Sequence, residues 1–377
     1  MSSLNQNTHW VACWGNATSI TDRKECVYAK NITLRYPIFM PFSGSMLRLR
    51  FSNLTGTEPV TISKLVISTA QQEQIAVLGI PFTIPAGEEI TSPEIPMDIT
   101  AGETITVSMY LGGITQMNAG TLITGPLSRG QYAYGDFAVE ETLPAELTRN
   151  TNWFYFLNTI DILTAPENHA IICYGDSITA QSWPDYLTLR AWEAGYRHLA
   201  FIRRAVSGTR ILRQYDCITY AAYGLKGATR FPIESNVAGA TDIIIQHGIN
   251  DIIHPVGVEV NRFRPWSDMP TVEDLIRGTQ SIYIAHARQL GLRVWSGTLL
   301  PIEGWRTYNE ERDSIRTAFN EWLRTSEEFD GCIDFDAAVR DSERKQAFAP
   351  GFDSGDHLHP SEAAYKKMAE TVPLDRL

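Results

Sequence analysis

A serine follows the apolar run of residues 171–174 in the stretch IICYGDSITA, where a buried strand would turn into the next helix. A hydroxyl at such a corner can act as a nucleophile when a base takes its proton, and it can also simply cap the following helix. We interpret Ser177 as a nucleophile, which requires the rest of the chain to supply a base and oxyanion donors. The preceding Asp176 has two possible roles, capping the helix or positioning the site.

The stretch SGDHLHP near the end of the chain supplies a base and its partner. His359 can accept a proton because imidazole titrates near neutral pH, although a histidine before the last helix can also be a plain helix-start residue. Asp356 stands three residues earlier, within reach of the far ring nitrogen, where it would select the tautomer. Asp356, His357 and His359 are also possible zinc ligands. No further well-spaced ligand pair accompanies them, so we expect no metal, and His357 is expected either to have a structural role or to lie at the rim of the site.

Two further corners contain groups that can donate hydrogen bonds to a negative oxygen. Gly208 lies in AVSGTR and Asn250 lies in IIIQHGIND, each after an apolar run. The backbone N–H groups of Ser177 and Gly208 and the side-chain amide of Asn250 would together stabilise a tetrahedral intermediate. Glycine at position 208 permits a close backbone approach. Taken singly, Gly208 and Asn250 would also suit ordinary turns.

The pattern of the second half predicts the elements that position these corners. Short apolar runs alternate there with longer helical stretches. The runs lie at 170–174, 200–206, 242–246, 292–299 and 332–335. Helices are predicted over 271–291, 310–329 and 360–372, the first ended by Gly291 and the third with Pro360 in its first turn. Such alternation indicates a mostly parallel sheet with helices on both faces, which binds ligands outside the carboxyl ends of its strands.

Residues 1–165 have the periodicity of strands. In SMLRLRF, Leu47, Leu49 and Phe51 alternate with two arginines, and VTISKLVIS and TITVSMYL are rich in β-branched residues. Turn-forming stretches such as SNLTGTEP and IPAGEE separate these segments. The pattern predicts an antiparallel, jelly-roll-like β-sandwich as an accessory domain, with WFYFLNTIDIL (153–163) as its last strand. The catalytic domain is then expected at 166–377.

The four polar corners resemble the four sequence blocks of SGNH (GDSL-type) hydrolases and occur in the same order. These blocks are GDS ending at Ser177, glycine at 208 after a strand, G-x-N-D at 248–251 and D-x-x-H at 356–359. The stretches HWVACWGNA, LRLRFSN and FDSGDHLHP are similar to a two-domain branch of this family with an N-terminal β-domain. Ile178 stands where a strict GDSL motif has leucine, a conservative departure.

This resemblance implies a fold, an activity and a set of site residues. The fold is a flavodoxin-like, three-layer α/β hydrolase domain with a parallel sheet, and the activity is ester hydrolysis without a metal or another cofactor. The resemblance assigns Ser177 as the nucleophile and Asp356 with His359 as the pair that activates it. It assigns Gly208 and Asn250 as oxyanion donors.

Composition narrows the range of partners. The chain has 43 acidic and 32 basic residues, a formal net charge of −11, which disfavours nucleic acid and anionic membranes as partners. No stretch approaches the roughly 18 apolar residues of a membrane span, and the start shows no signal-peptide pattern. Five cysteines without a CxxC pair fit reduced thiols, so we expect a cytoplasmic location. The oligomeric state is left open.

These observations lead to a serine esterase that removes short acyl groups, with acetyl esters of carbohydrates as the expected substrates because two-domain relatives often act on acetylated sugars. One alternative is a short-chain lipid or thioester hydrolase. Another is a glycan-binding protein without catalytic activity, which the complete set of catalytic residues disfavours. Five tryptophans are candidate platforms for a sugar or an acyl group, with anchoring to a core or a loop as the more ordinary role. They are Trp10, Trp14, Trp183, Trp266 and Trp305.

Overall fold

The computed structural model describes residues 8–20, 27–69, 75–78, 81–215 and 223–377. The chain divides into two compact units. The first runs through Ala170 and also takes in Ala194–Ile202 and Val237–Ala240, and the second consists of Ile171–Glu193, Arg203–Asn236 and Thr241–Leu377. No helix within the described ranges is long and apolar enough to cross a membrane.

The N-terminal part consists of short β-strands, as its alternating pattern predicts. They are β1 (His9–Gly15), β2 (Ser19–Ile20), β3 (Tyr28–Ala29), β4 (Ile32–Phe39), β5 (Gly44–Ser52), β6 (Val60–Ile62), β7 (Lys64–Thr69), β8 (Ile75–Leu78), β9 (Phe82–Ile84), β10 (Glu89–Thr91), β11 (Ile95–Ile99), β12 (Thr104–Leu111), β13 (Thr115–Gln116), β14 (Ala119–Leu122), β15 (Gly130–Tyr134), β16 (Arg149–Thr151), β17 (Trp153–Tyr155) and β18 (Leu157–Thr164).

Two larger antiparallel sheets organise these strands. One has the order β1-β18-β5-β10, with β11 also paired to β5, and the other has the order β16-β15-β4-β12-β7-β8. In β5 the side chains of Leu47, Leu49 and Phe51 are fully buried, which is the predicted apolar face of SMLRLRF. The expectation of one final strand over 153–163 is wrong. Phe156 has a φ of +62° and separates β17 from β18, which belong to different sheets.

The C-terminal part contains a parallel sheet of five strands, and each predicted apolar run lies on one of them. The strands are β19 (His169–Gly175), β20 (Leu199–Ala205), β21 (Ala240–Gln246), β22 (Arg293–Gly297) and β23 (Gly331–Ile333). Their order is β20-β19-β21-β22-β23, in which the first strand of the sheet lies between the second and the third. This is the flavodoxin-like order, so the predicted fold class is confirmed.

Helices connect and cover these strands. They are α1 (Ser177–Ala180), α2 (Trp183–Glu193), α3 (Gly227–Glu234), α4 (Ile249–Ile253), α5 (Val272–Gly278), α6 (Ala285–Gln289), α7 (Glu310–Thr325), α8 (Phe335–Val339) and α9 (Glu362–Thr371). A π-helical segment, Thr279–Ile284, joins α5 to α6, and Gly291 follows with a φ of +77°. The helix predicted to end at Gly291 therefore exists, with one widened turn in its middle.

The placement of Pro360 inside the last helix is wrong. Ser361 is the N-cap of α9, and its side chain accepts a hydrogen bond from the backbone N–H of Ala364 (3.3 Å). Pro360 precedes this cap and forms an isolated β-bridge with Asp353. The hydroxyl of a serine satisfies a free N–H at a helix start, which is why the helix begins after Ser361.

Three of the five cysteines lie within the described residues. Cys13, Cys173 and Cys332 are free, and Cys13 and Cys173 are buried. Burial raises the pKa of Cys332, so this thiol is neutral near pH 7. Cys26 and Cys217 lie outside the described residues.

Candidate active site

Ser177 is the first residue of α1 and follows the carboxyl end of β19. The Asp176 carboxylate accepts a hydrogen bond from the backbone N–H of Ile178 (3.1 Å), so Asp176 is the N-cap of this short helix. The Thr179 hydroxyl donates to the side-chain oxygen of Gln246 at the end of β21 (3.2 Å). These contacts hold the corner in place, and Ser177 itself stays partly exposed.

The His359 ring connects Ser177 to Asp356. Its Nε2 lies 2.9 Å from Ser177 Oγ, and its Nδ1 lies 2.6 Å from Asp356 Oδ2. Because a carboxylate only accepts hydrogen bonds, Nδ1 carries the proton and Nε2 is left to accept one from the serine hydroxyl. The arrangement can therefore move a proton from Ser177 to His359.

The Asp356 carboxylate is held in its charged form. Partial burial raises its pKa, but hydrogen bonds from the His359 ring and from the backbone N–H groups of His359 and Leu358 outweigh burial and hold the pKa well below its usual range. The two backbone bonds measure 2.8 Å and 3.0 Å. A permanent negative charge at this position stabilises the imidazolium that forms when His359 takes a proton.

Gly208 follows β20 with a left-handed backbone, at a φ of +82°. A Cβ atom added at this position would lie 2.4 Å from the ring of Tyr223. The backbone conformation and the close aromatic contact both require glycine. The role of the Gly208 N–H as an oxyanion donor stays a prediction.

Asn250 lies in the first turn of α4, and its Nδ2 donates to the backbone oxygen of Thr209 (3.0 Å). His247 Nε2 lies 3.1 Å from the same oxygen, and its Nδ1 lies 2.7 Å from the Tyr283 hydroxyl. Burial, helped by the charge of Arg230, lowers the pKa of His247 to about 3, so this ring is neutral. One N–H of the Asn250 amide is thus used to orient the side chain, and the role of the amide as an oxyanion donor stays a prediction.

Arg230 is a buried residue of α3 that the sequence patterns did not single out. It donates to the backbone oxygen of Gly175 (3.3 Å) and to the hydroxyl of Thr209 (2.7 Å), and it pairs with Glu234 (2.7 Å). These bonds join Thr209, the residue after Gly208, to the end of β19, which leads to the nucleophile. No local motif marks this role of Arg230, because Gly175 and Thr209 come from distant parts of the chain and only Glu234 is a neighbour on the same helix.

Asp251, a residue to which the sequence analysis gave no role, holds the loop after Gly208. Its carboxylate accepts hydrogen bonds from the backbone N–H groups of Ile211 (2.7 Å) and Leu212 (3.0 Å). Burial raises the pKa of Asp251 to about 6, against the effect of these bonds. Two side chains of the G-x-N-D block therefore contact the loop that carries Gly208. Asn250 binds Thr209, and Asp251 holds the backbone of Ile211 and Leu212.

The comparison with family models agrees with this geometry. The GDSL-like lipase/acylhydrolase model matches residues 171–372, which include all the corners described above. The chain belongs to this family. Its N-terminal strands lie outside the matched range. No curated protein matches the sequence.

Solved structures of other GDSL and esterase proteins are similar to this member of the GDSL family. The acetylxylan esterase Axe2 from Geobacillus stearothermophilus is 15% identical with a TM-score of 0.40, over 54% of this chain and 91% of that one. The LAE5 hydrolase from the metagenome of Lake Arreo is 15% identical with a TM-score of 0.40, over 54% of this chain and 92% of that one. A lipolytic G-D-S-L family protein from Veillonella parvula DSM 2008 is 17% identical with a TM-score of 0.33, over 54% of this chain and 95% of that one. Identities of this size do not transfer a substrate.

His357, the first histidine of the DHLH stretch in this GDSL protein, has a partner of its own. The Nδ1 atom of His357 lies 2.5 Å from Asp353 Oδ2, and the same aspartate accepts from the His357 backbone N–H (3.0 Å). The His357 backbone has a φ of +64°, a strained conformation for a residue other than glycine, which these two bonds help to hold. Its side chain is half exposed, as expected for the rim of the site.

The side chains of the DHLH stretch are not arranged as the ligands of a zinc ion. His357 and His359 turn to different aspartates, and the remaining ring nitrogen of His359 contacts Ser177. Among the residues that the structure describes, no group of three or more histidine, cysteine, aspartate or glutamate side chains is placed to hold a metal ion.

The tryptophans of the GDSL domain differ in exposure. Trp183 is fully buried and packs against Phe335, with ring centres 5.3 Å apart, so it is a core residue. Trp266 is 49% exposed and Trp305 is half-buried. In the first unit, Trp14 packs near Phe154, with ring centres 5.7 Å apart.

Proposed function

We propose that this protein is a serine esterase that hydrolyses short acyl esters, with acetyl esters of carbohydrates as its substrates. One observation carries the proposal. The Ser177 hydroxyl, the His359 ring and the Asp356 carboxylate form a continuous line of hydrogen bonds of 2.9 Å and 2.6 Å at the carboxyl end of a parallel strand. Residues 166–377 would form the catalytic domain and residues 1–165 an accessory β-domain.

In the proposed reaction, Ser177 Oγ attacks the acyl carbon while its proton passes to His359 Nε2. The tetrahedral intermediate collapses as His359 returns this proton to the leaving alcohol, and an acyl-serine remains. Water then attacks the acyl-serine with His359 again as the base, which releases the carboxylic acid and restores the serine. Asp356 keeps the ring in the reactive tautomer throughout and is not itself protonated.

The negative oxygen of the intermediate would be bound by three donors. We assign the backbone N–H groups of Ser177 and Gly208 and the second N–H of the Asn250 amide. The amide is preorganised because Thr209 accepts its other N–H (3.0 Å), so it needs no reorientation during the reaction.

Two features support short acyl groups on a polar substrate. The Tyr223 ring packs against Gly208, so it limits the room beside this proposed oxyanion donor. The second unit also has two cavities, of about 990 Å³ and 500 Å³. Neither is lined by Ser177, Asp356 or His359, but the walls of both include several arginines, which suit a polar ligand better than a lipid chain.

The test is turnover on a substrate panel. We expect hydrolysis of p-nitrophenyl acetate, and release of acetate from at least one of acetylated xylan, mannan or pectin oligosaccharides, with kcat/KM well above that for short-chain lipid esters and acyl thioesters. Preference for the lipid or thioester substrates would contradict the carbohydrate assignment. Carbohydrate binding without turnover of any ester would instead identify an inactive glycan-binding protein.

A further inference from the structure

The smaller of the two cavities concentrates positive charge in an acidic protein. Arg264, Arg306 and Arg312 line it together with Trp266 and Tyr308, and we call it the arginine cavity. Within the described ranges, none of these three guanidinium groups forms an ion pair with a carboxylate. The whole chain has a formal net charge of −11, yet the carboxylate of Glu259, which lies at this cavity, accepts a hydrogen bond from Trp266 Nε1 (3.1 Å) and forms no ion pair with these arginines in the described ranges.

Two of the arginines also have a structural task, at the end of α4. Arg312 donates to the backbone oxygens of Ile252 and Pro255, and Arg264 donates to that of His254. A helix C-terminus offers at most about half a negative charge, so it cannot neutralise two guanidinium groups. Burial and the nearby charge of Arg264 lower the pKa of Arg312 and outweigh the opposing effect of the Glu311 carboxylate.

Arg312 provides the second sign of a missing ligand. The residue is only 1% exposed, and its Nε atom is buried without a hydrogen-bond partner among the described residues. A buried, charged donor that lacks an acceptor is costly, and a bound anion would supply that acceptor.

Arg306 and the aromatic rings are not explained by helix capping. The Arg306 side chain is exposed and lies over the ring of Trp305, 4.6 Å from its centre. The Trp266 ring is 49% exposed and has the Arg312 guanidinium 5.3 Å from its centre. Exposed aromatic faces beside guanidinium groups suit a ligand that has both an apolar ring face and an anionic group.

The arginine cavity lies near elements that carry residues of the candidate active site. Asn250 lies in the first turn of α4, whereas the oxygens bound by Arg312 and Arg264 lie at the other end of this five-residue helix. At 1.5 Å per residue, the two ends are separated by about 6 Å. A Cβ atom added at Gly304 would lie 2.7 Å from the His357 ring, so the loop that carries Arg306 lies beside the loop of Asp356 and His359.

We propose that the arginine cavity binds the carboxylate of a uronic acid unit in the substrate, adjacent to the acylated sugar. The carboxylate accepts hydrogen bonds from Arg306 and Arg312, and the Trp266 ring packs against a sugar face. This inference rests on the proposed function, since it defines the substrate as an acidic carbohydrate ester. It predicts that a neutral oligosaccharide binds more weakly than its acidic counterpart.

The binding experiment uses the Ser177→Ala protein, so that chemistry does not interfere. Calorimetry compares a glucuronate-substituted xylo-oligosaccharide and a galacturonate oligosaccharide with their carboxyl-reduced forms, which differ only in the carboxylate. We expect at least one acidic ligand to bind roughly ten- to a hundredfold more tightly than its reduced form, the effect of a charge-assisted hydrogen bond. Arg306→Gln should remove most of this difference, because Arg306 is exposed and its replacement leaves the α4 contacts intact.

Arg262→Gln is the matched control. Arg262 is also exposed, lies over an aromatic ring (Phe263, 4.5 Å) and lines the other cavity, so the same charge change there should leave the acidic preference unaltered. Equal binding of acidic and reduced ligands would overturn the proposal, as would inorganic phosphate binding as tightly as the uronate. An acidic preference in a protein that releases no acetate would leave the cavity assignment standing and refute the esterase proposal alone.

Discussion

At the scale of single residues, the two histidines of the DHLH stretch have different roles because they pair with different aspartates and differ in backbone conformation. His359 pairs with Asp356 and reaches Ser177, whereas His357 pairs with Asp353 at the rim. The spacing of Asp356 and His359 made their contact predictable from the sequence, because both lie in one short loop. The pairing of His357 with Asp353 was not predicted, since a φ of +64° cannot be recognised from a histidine in the sequence.

Replacing one residue of each histidine–aspartate pair tests these roles. Asp356→Asn should lower kcat roughly 10⁴-fold, the loss that this change causes in serine proteases, because the amide leaves the imidazole in the wrong tautomer. His357→Gln is the control and should keep kcat within a few fold, since we assign it no proton transfer. The measurement is kcat on p-nitrophenyl acetate. Retained activity in Asp356→Asn together with collapse in His357→Gln would show that the other histidine is the base.

At the scale of secondary structure elements, the sequence predicted the parallel strands and the long helices because their apolar periodicity is regular. It did not predict the network around Thr209, in which His247, Asn250 and Arg230 approach from three different elements. Such contacts depend on tertiary packing, and no local pattern records them. The break at Phe156 was missed for a related reason, because an apolar run gives no sign of a positive φ.

Gly208→Ala tests whether the loop after β20 supplies an oxyanion donor. Its φ of +82° and the Tyr223 ring 2.4 Å from an added Cβ mean that the loop must shift. We expect kcat to fall roughly 10²–10³-fold, the usual effect of losing one such donor. Gly291→Ala is the matched control, because Gly291 has a φ of +77° and nothing within 4 Å of an added Cβ. It should lower stability while kcat is kept. Equal losses of kcat in both variants would contradict the assignment.

At the scale of the whole molecule, a buried carboxyl beside the nucleophile makes stability depend on pH. Burial raises the pKa of Asp176 to about 7, from a usual value of 3.8. The folded protein therefore keeps a proton at this position that the unfolded chain releases at lower pH. The contribution of Asp176 to stability is fully present below about pH 4 and is lost as the pH rises to about 7, by at most about 1.4 kcal/mol per pH unit.

Asp176→Asn removes this titration, because an amide is neutral at every pH and can still cap α1. The midpoint temperature of unfolding of the variant, relative to that of the wild type, should therefore rise between pH 5 and pH 8. Each kcal/mol corresponds to roughly 2–4 °C in a domain of about 150–250 residues. Differential scanning calorimetry at four pH values measures the difference. A constant difference across this range would show that Asp176 is ionised throughout.

The most direct test of the account is the release of acetate by wild-type protein and by Ser177→Ala, measured on p-nitrophenyl acetate and on the best acetylated oligosaccharide of the panel. Circular dichroism and the unfolding midpoint would establish that the variant is folded. We expect kcat to fall by up to about 10⁶-fold, with a residual rate from the oxyanion donors. A folded Ser177→Ala protein that keeps more than about a tenth of the wild-type kcat would contradict the assignment of Ser177 as the nucleophile.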